Sequence, residues 1–103
     1  MPVPPDALDL IRESQRVLAM FRLEPRYPSH LMRLLAAAGR KLGKAADISE
    51  VVDAEAASDL LRLVMMLVAA SEALARGEEE EARRLAGEVE GWLAQRFGPS
   101  PPP

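Results

Sequence analysis

The sequence has 103 residues, of which 49% are apolar and 28% are charged, with a formal net charge of −3. This composition is typical of a globular chain of one domain and excludes intrinsic disorder. Cysteine is absent, which excludes disulfides and thiolate catalysis. The longest unbroken apolar run, 63–70, is far shorter than the roughly 20 residues that span a bilayer. No secretory signal pattern is visible near the start, so we expect a cytoplasmic protein.

The first helix is predicted from its flanking prolines and its apolar face. Residues 1–5 hold three prolines and form an extended lead, and Asp6 is the predicted N-cap of the helix after it. Apolar residues at helical spacing continue to about Leu23. Pro25 and Pro28 then interrupt the pattern, because each removes a backbone donor and disfavours helix in the residue before it.

Two further helices come after this interruption. Ser29 is the predicted N-cap of the second helix, and Gly43 is its predicted C-terminal stop. The third helix has two possible starts. Residues 47–50 match a capping box, whereas Asp53 could cap the helix after a short turn. The third helix is expected to continue to about Arg76.

The last part of the chain predicts one more helix and a tail. Gly77 ends the third helix, and a fourth helix is expected from about Glu78 to Phe97. Residues 73–85 resemble the helical hairpin of tetratricopeptide-like units, which implies that the last two helices pair antiparallel. Residues 98–103 are a proline-rich flexible tail.

These elements define the fold class. Residues 6–97 are expected to form a single all-α domain, because no segment shows the alternating pattern of a strand. Short connections between helices favour antiparallel neighbours. The prediction is a four-helix, mostly antiparallel bundle with a central apolar third helix.

The third helix is more apolar than a surface helix of a small bundle requires. Residues 63–70 are apolar on every side, which is typical of a buried helix. Either the other three helices surround it, or the side with the two methionines meets a second molecule, since methionine suits adaptable contacts. In the fourth helix, two glycines opposite the apolar face could form a notch for a partner helix. The candidate partner interface comprises Met65, Met66, Ala69, Ala73, Gly87 and Gly91.

Charge is divided unevenly along the chain. Residues 1–46 hold eight basic and four acidic side chains, a net charge of +4, whereas residues 47–103 hold five and twelve, a net charge of −7. This asymmetry could steer a charged partner or pair the two halves with each other. The candidate basic patch comprises Arg33, Arg40, Lys41 and Lys44. It makes nucleic acid a possible partner, although the acids of the helix-turn-helix-like segment 42–56 would repel phosphates.

Motifs that carry chemistry are few. The segment from His30 to Arg33 resembles the site of phosphotransfer domains, which implies phosphorylation of the histidine. Leu34 departs from that pattern, because those domains usually place glycine there. A di-iron bundle needs Glu-x-x-His pairs on two helices, and the chain has one histidine, so we expect no metal. Nothing indicates a cofactor, a small-molecule substrate or a catalytic residue.

The function predicted from the sequence is that of a small, non-enzymatic helical module for protein-protein interaction or assembly. A homodimer is the expected form, because a second copy could cover the apolar side of the third helix. Two alternatives stay open: a nucleic-acid-associated regulator that uses the basic first half, and phosphotransfer through His30.

Overall fold

The computed structural model describes residues 3–23 and 28–99, and the regular structure in these ranges is helical. Four helices succeed one another: α1 (Pro5–Leu23), α2 (Pro28–Ser49), α3 (Ala54–Ala75) and α4 (Glu79–Phe97). The predicted all-α four-helix bundle is confirmed. The termini and the α1–α2 connection, residues 1–2, 24–27 and 100–103, lie outside the described residues, and so do the predictions made for them.

The helices pack in chain order and form a closed ring. α2 packs against α1 and α3, α3 packs against α4, and the less extensive contact of α4 with α1 completes the ring. Arg12 near the start of α1 contacts Phe97 at the end of α4, whereas Arg83 near the start of α4 contacts the carbonyl oxygen of Phe21 near the end of α1. These two contacts show that α1 and α4 are antiparallel.

Leucine and alanine build most of the core. Leucines are large enough to fill the centre of the bundle, and burying one fully contributes roughly 1.5–3 kcal/mol. Alanines at the helix contacts, such as Ala38, Ala70 and Ala86, let the backbones approach closely. The aromatic Phe21 is fully buried, and Trp92 packs against the core from its edge. The core side chains occupy one face of each helix, as the sequence periodicity predicts.

Polar side chains of α1 bind the carbonyl end of α4. The last carbonyl groups of a helix have no partner inside the helix. The Arg12 guanidinium donates hydrogen bonds to the carbonyl oxygens of Phe97 at 2.5 Å and Pro99 at 3.2 Å. The buried Gln15 amide donates to the carbonyl oxygen of Gly98 at 2.8 Å. We call this contact the α1–α4 clasp.

The predicted stop at Gly43 is wrong, because α2 continues through this residue to Ser49. The buried face of α2 includes Leu42, Ala45 and Ala46 on either side of the glycine, so ending the helix there would expose core residues. A Cβ at Gly43 would meet no atom within 4 Å. Gly43 therefore lies in a helix interior, where glycine weakens the helix without ending it.

The start of α3 is decided in favour of Asp53. Its side chain accepts a hydrogen bond from the Ala56 backbone N–H at 3.0 Å, which satisfies one free donor of the first turn. The alternative start at residues 47–50 is wrong, because residues 47–49 are still the last part of α2. Residues 50–53 form the turn between the two helices.

The other helix ends differ little from the predictions. Asp6 and Ser29, the predicted N-caps, are the second residues of α1 and α2, because Pro5 and Pro28 take the first helical position. Proline is favoured there, since its missing N–H has no partner in the first turn anyway. Gly77 ends α3 as predicted, with a positive φ of 79°.

Glycine-to-alanine substitutions will distinguish the two kinds of glycine. We expect Gly43→Ala to raise the free energy of unfolding by about 0.5–1 kcal/mol, because alanine is the better residue in a helix interior. Gly77→Ala should lower it by about 1–2 kcal/mol, because a Cβ is strained at positive φ. Urea unfolding monitored by circular dichroism measures both. A loss of stability in Gly43→Ala would contradict the continuous α2.

Candidate protein-interaction surface

α3 has neighbouring helices on two sides only, and its third side faces outward. Leu61, Met65 and Val68 lie on this outward side with 49%, 69% and 51% of their surface exposed. Their spacing of four and then three residues places them in one row along the helix. We call these three residues the outer stripe. Large apolar side chains are therefore presented in a continuous row on the surface.

An apolar groove between α2 and α3 borders the outer stripe. Its volume is about 360 Å³. On the α2 side the small residues Ala36 and Gly39 leave the groove open, and on the α3 side Val64 and Val68 line it. Because Val68 belongs to both, the groove and the outer stripe form one apolar surface. Arg40 lies at its edge.

The structure divides the α3 residues of the predicted partner interface. Met65 is the most exposed of them, whereas Met66 is half-buried and packs against the core. Adjacent residues of a helix point about 100° apart, so the two methionines face different surroundings. Ala69 is half-buried. Ala73 is 0% exposed and belongs to the core, which corrects its assignment to the interface.

The two glycines of the predicted interface lie on α4, away from the outer stripe. Gly87 and Gly91 are exposed, and a Cβ at either would meet no atom within 4 Å. Gly87 lines a small groove between α4 and α1, together with Arg22 and Glu90. The predicted interface is therefore not one surface. Met65 lies in the outer stripe of α3, whereas Gly87 lines a groove on α4.

The Glu90 carboxyl has a pKa displaced from its ordinary value. Burial against α1 raises the pKa of Glu90 above its ordinary value, and the Arg22 guanidinium, 3.3 Å away, lowers it by a smaller amount. The net direction is upward, because Arg22 is itself largely exposed and its charge is screened by water. Glu90 therefore binds a proton more readily in the folded chain than in the unfolded chain.

The basic patch is only partly brought together. Arg40, Lys41 and Lys44 line a groove between α2 and α1, which also includes the acidic Asp47. Lys41 lies 3.7 Å from the Glu13 carboxylate of α1. Arg33 is exposed two helical turns before Arg40. The cations of this groove are therefore partly neutralised by acids on both helices.

The structure adds no support, among residues 3–23 and 28–99, for the histidine, metal or membrane features considered in the sequence. His30 is half-buried in the first turn of α2, and its side chain has no ion pair or hydrogen bond with another residue of these ranges. These ranges also hold no cluster of three or more metal-ligating side chains. None of their helices has the length and apolar character that crossing a membrane would require.

No protein-family model, no curated protein sequence and no solved structure matches this chain. The outer stripe is therefore interpreted from its own geometry. Sequence reasoning identified Met65 but missed Leu61 and Val68, although their four- and three-residue spacing from Met65 is visible in the sequence. The polar residues Ser58 and Glu72 continue the same row at either end, and they mark it as the outward side.

Glu90 predicts a pH dependence of stability. Its pKa is ordinarily near 4.5 and is raised by folding, so its contribution to stability is present below that value and is lost as pH rises through the folded pKa. In Glu90→Gln we expect this loss between acidic and neutral pH to disappear. Thermal unfolding of both proteins across this range measures it. Parallel pH profiles for the two proteins would show that Glu90 contributes nothing.

Proposed function

We propose that this chain is a non-enzymatic helical module that assembles with a partner through the outer stripe of α3. The observation that carries the proposal is the exposure of three large apolar side chains, Leu61, Met65 and Val68, in one row. The proposal keeps the cytoplasmic location and the homodimeric form expected from the sequence. It assigns no catalytic role to these residues.

The continuity of this surface supports a contact function. Single exposed apolar side chains are common and need no explanation, but contiguous exposed apolar patches are typical of interaction sites. Here the stripe continues into the apolar groove that Val64 and Ala36 line. A helix laid along α3 could bury both. Met65 suits such a contact, because its unbranched side chain adapts to the shape of a partner.

Two adjacent methionines provide a matched test. Met65→Glu should weaken the assembly at least tenfold, because a charge would be placed on the contact surface, while the unfolding free energy of the protomer changes by less than about 0.5 kcal/mol. Met66→Glu should instead destabilise the protomer by roughly 1–3 kcal/mol, because Met66 packs against the core. Sedimentation velocity over a wide concentration range and urea unfolding separate the two effects.

Each measurement has an outcome that contradicts the proposal. A wild-type protein that stays monomeric at the highest attainable concentration would contradict self-assembly. Unfolding of Met65→Glu to the same extent as Met66→Glu would mean that Met65 is a core residue. Dissociation by Met66→Glu without loss of stability would place the contact on the α4 side of α3.

The groove between α1 and α2 supports a second candidate function, which is binding of nucleic acid. Arg40, Lys41 and Lys44 line one groove, and cations in a groove attract the phosphate backbone. Asp47 and Glu13 weaken this attraction, which is why we place the candidate second.

Binding to a short DNA or RNA duplex at low salt tests the second candidate. We expect the affinity to fall steeply with added salt, because bound cations release counterions from the phosphates. Replacing both Arg40 and Lys44 with Gln should abolish binding. The absence of any shift in fluorescence anisotropy at low salt would remove this candidate.

A further inference from the structure

We propose that the partner of the outer stripe is a second copy of this chain, packed antiparallel along α3 about a two-fold axis. The axis crosses the outward side of α3 at the level of residues 65–67, and two charge pairs between the copies set the register: Arg62 with Glu72, and Glu55 with Arg76. This inference rests on the proposed assembly through the outer stripe, and it adds the partner, the orientation and the register.

Charges flank the outer stripe in an alternating order. Along the exposed side of α3 they are Glu55, Arg62, Glu72 and Arg76, and all four are exposed. The signs from the start to the end of the helix are therefore negative, positive, negative and positive. Met65 and Val68 lie between the two inner charges, and Leu61 is next to Arg62 in the sequence. A partner helix whose charges follow the opposite order of signs would place an opposite charge next to each of these four.

A second copy supplies that opposite order only when it runs antiparallel. The midpoint of Arg62 and Glu72 falls at Leu67, and the midpoint of Glu55 and Arg76 falls between Met65 and Met66. The two midpoints are within about 3 Å of each other along the axis of helix α3, since each residue advances a helix by about 1.5 Å. One two-fold axis can therefore place both pairs opposite each other. A parallel copy would place like charges opposite each other at all four positions.

These charges have little to hold them within one protomer. None of the ion pairs in the described part of the chain involves Glu55, Arg62 or Glu72. Arg76 contacts Glu78 at 2.5 Å, but both side chains are at least half exposed, and such pairs contribute little and exchange readily. Glu72 also attracts Arg76 one turn along the helix, but both side chains are exposed, so this attraction is weak and all four side chains can reach a second molecule.

Apolar and charged residues would have different roles in this dimer, because burial of apolar surface contributes more free energy than exposed charge pairs. The outer stripe would supply the affinity, because the contact removes Leu61, Met65 and Val68 from water. The charges at its rim contribute little each, but they penalise the wrong orientation. A symmetric interface uses the same patch on both copies, so the patch must complement itself. The alternating order of charge meets that requirement.

Single cysteines in the full chain test the orientation directly, since the chain has no cysteine of its own. Val68→Cys lies near the proposed axis and should cross-link two copies with a short bis-maleimide. Ser58→Cys lies on the same exposed side but far from the axis, so two copies should not cross-link. A mixture of Ser58→Cys and Ala75→Cys should cross-link, because the axis places these positions opposite each other.

Charge reversal tests the register. Arg62→Glu and Glu72→Arg should each raise the dimer dissociation constant by about tenfold, because each places two pairs of like charges across the axis. The double variant Arg62→Glu/Glu72→Arg should return to within about twofold of wild type. Arg16→Glu, an equal change of charge on the exposed side of α1, is the matched control and should have no effect. Sedimentation equilibrium at low salt measures all four.

The outcomes separate this inference from the function on which it rests. A monomeric wild type would overturn both. A dimer that Met65→Glu dissociates, but in which Ser58→Cys cross-links to itself, would overturn the antiparallel arrangement and leave the proposed function standing. The same holds for a dimer in which the single charge reversals have no effect, or in which the double variant is no tighter than the single ones.

Discussion

A helix with two packing neighbours can bury only part of its circumference, and residues 63–70 of α3 are apolar on every side. This mismatch is the constraint on which the rest of the molecule depends. The core takes Leu60, Leu63 and Leu67, because these residues face the interior. Leu61, Met65 and Val68 then remain outside, whatever rotamers they adopt. The four helices therefore leave one apolar side of α3 uncovered.

The fold could be predicted because apolar periodicity and proline positions determine most of it, and the errors come from residues whose role depends on the next stretch of chain. Gly43 and Gly77 are both glycines, and each lies near the end of an apolar helical pattern in the sequence. After Gly43 the buried positions continue through Ala45, Ala46 and Ser49, so the helix gains more from core contacts than the glycine costs. After Gly77 four glutamates begin a new helix, and nothing favours continuing α3.

The candidate surface was less predictable, because the sequence does not state which direction on α3 points inward. An excess of apolar residues is visible in the sequence, but Met66 and Ala73 can be separated from Met65 only when the positions of α2 and α4 are known. The glycines of α4 illustrate a second limit. Gly87 and Gly91 are exposed as expected, yet exposure on one helix does not indicate contact with a surface on another. Tertiary packing, which is absent from a single sequence, decides both.

The α1–α4 clasp also has a kinetic consequence. Arg12 and Phe97 are 85 residues apart, whereas most of the other helix contacts join helices that are neighbours in the sequence. Contacts between sequence neighbours form quickly, because only a short loop must close, and a contact that closes nearly the whole chain forms late. The ring is therefore expected to assemble as a row of hairpins and to close last at the clasp. In the native ensemble the same contact is the natural place for the bundle to open transiently, with α4 swinging away from α1 while α2 and α3 stay packed.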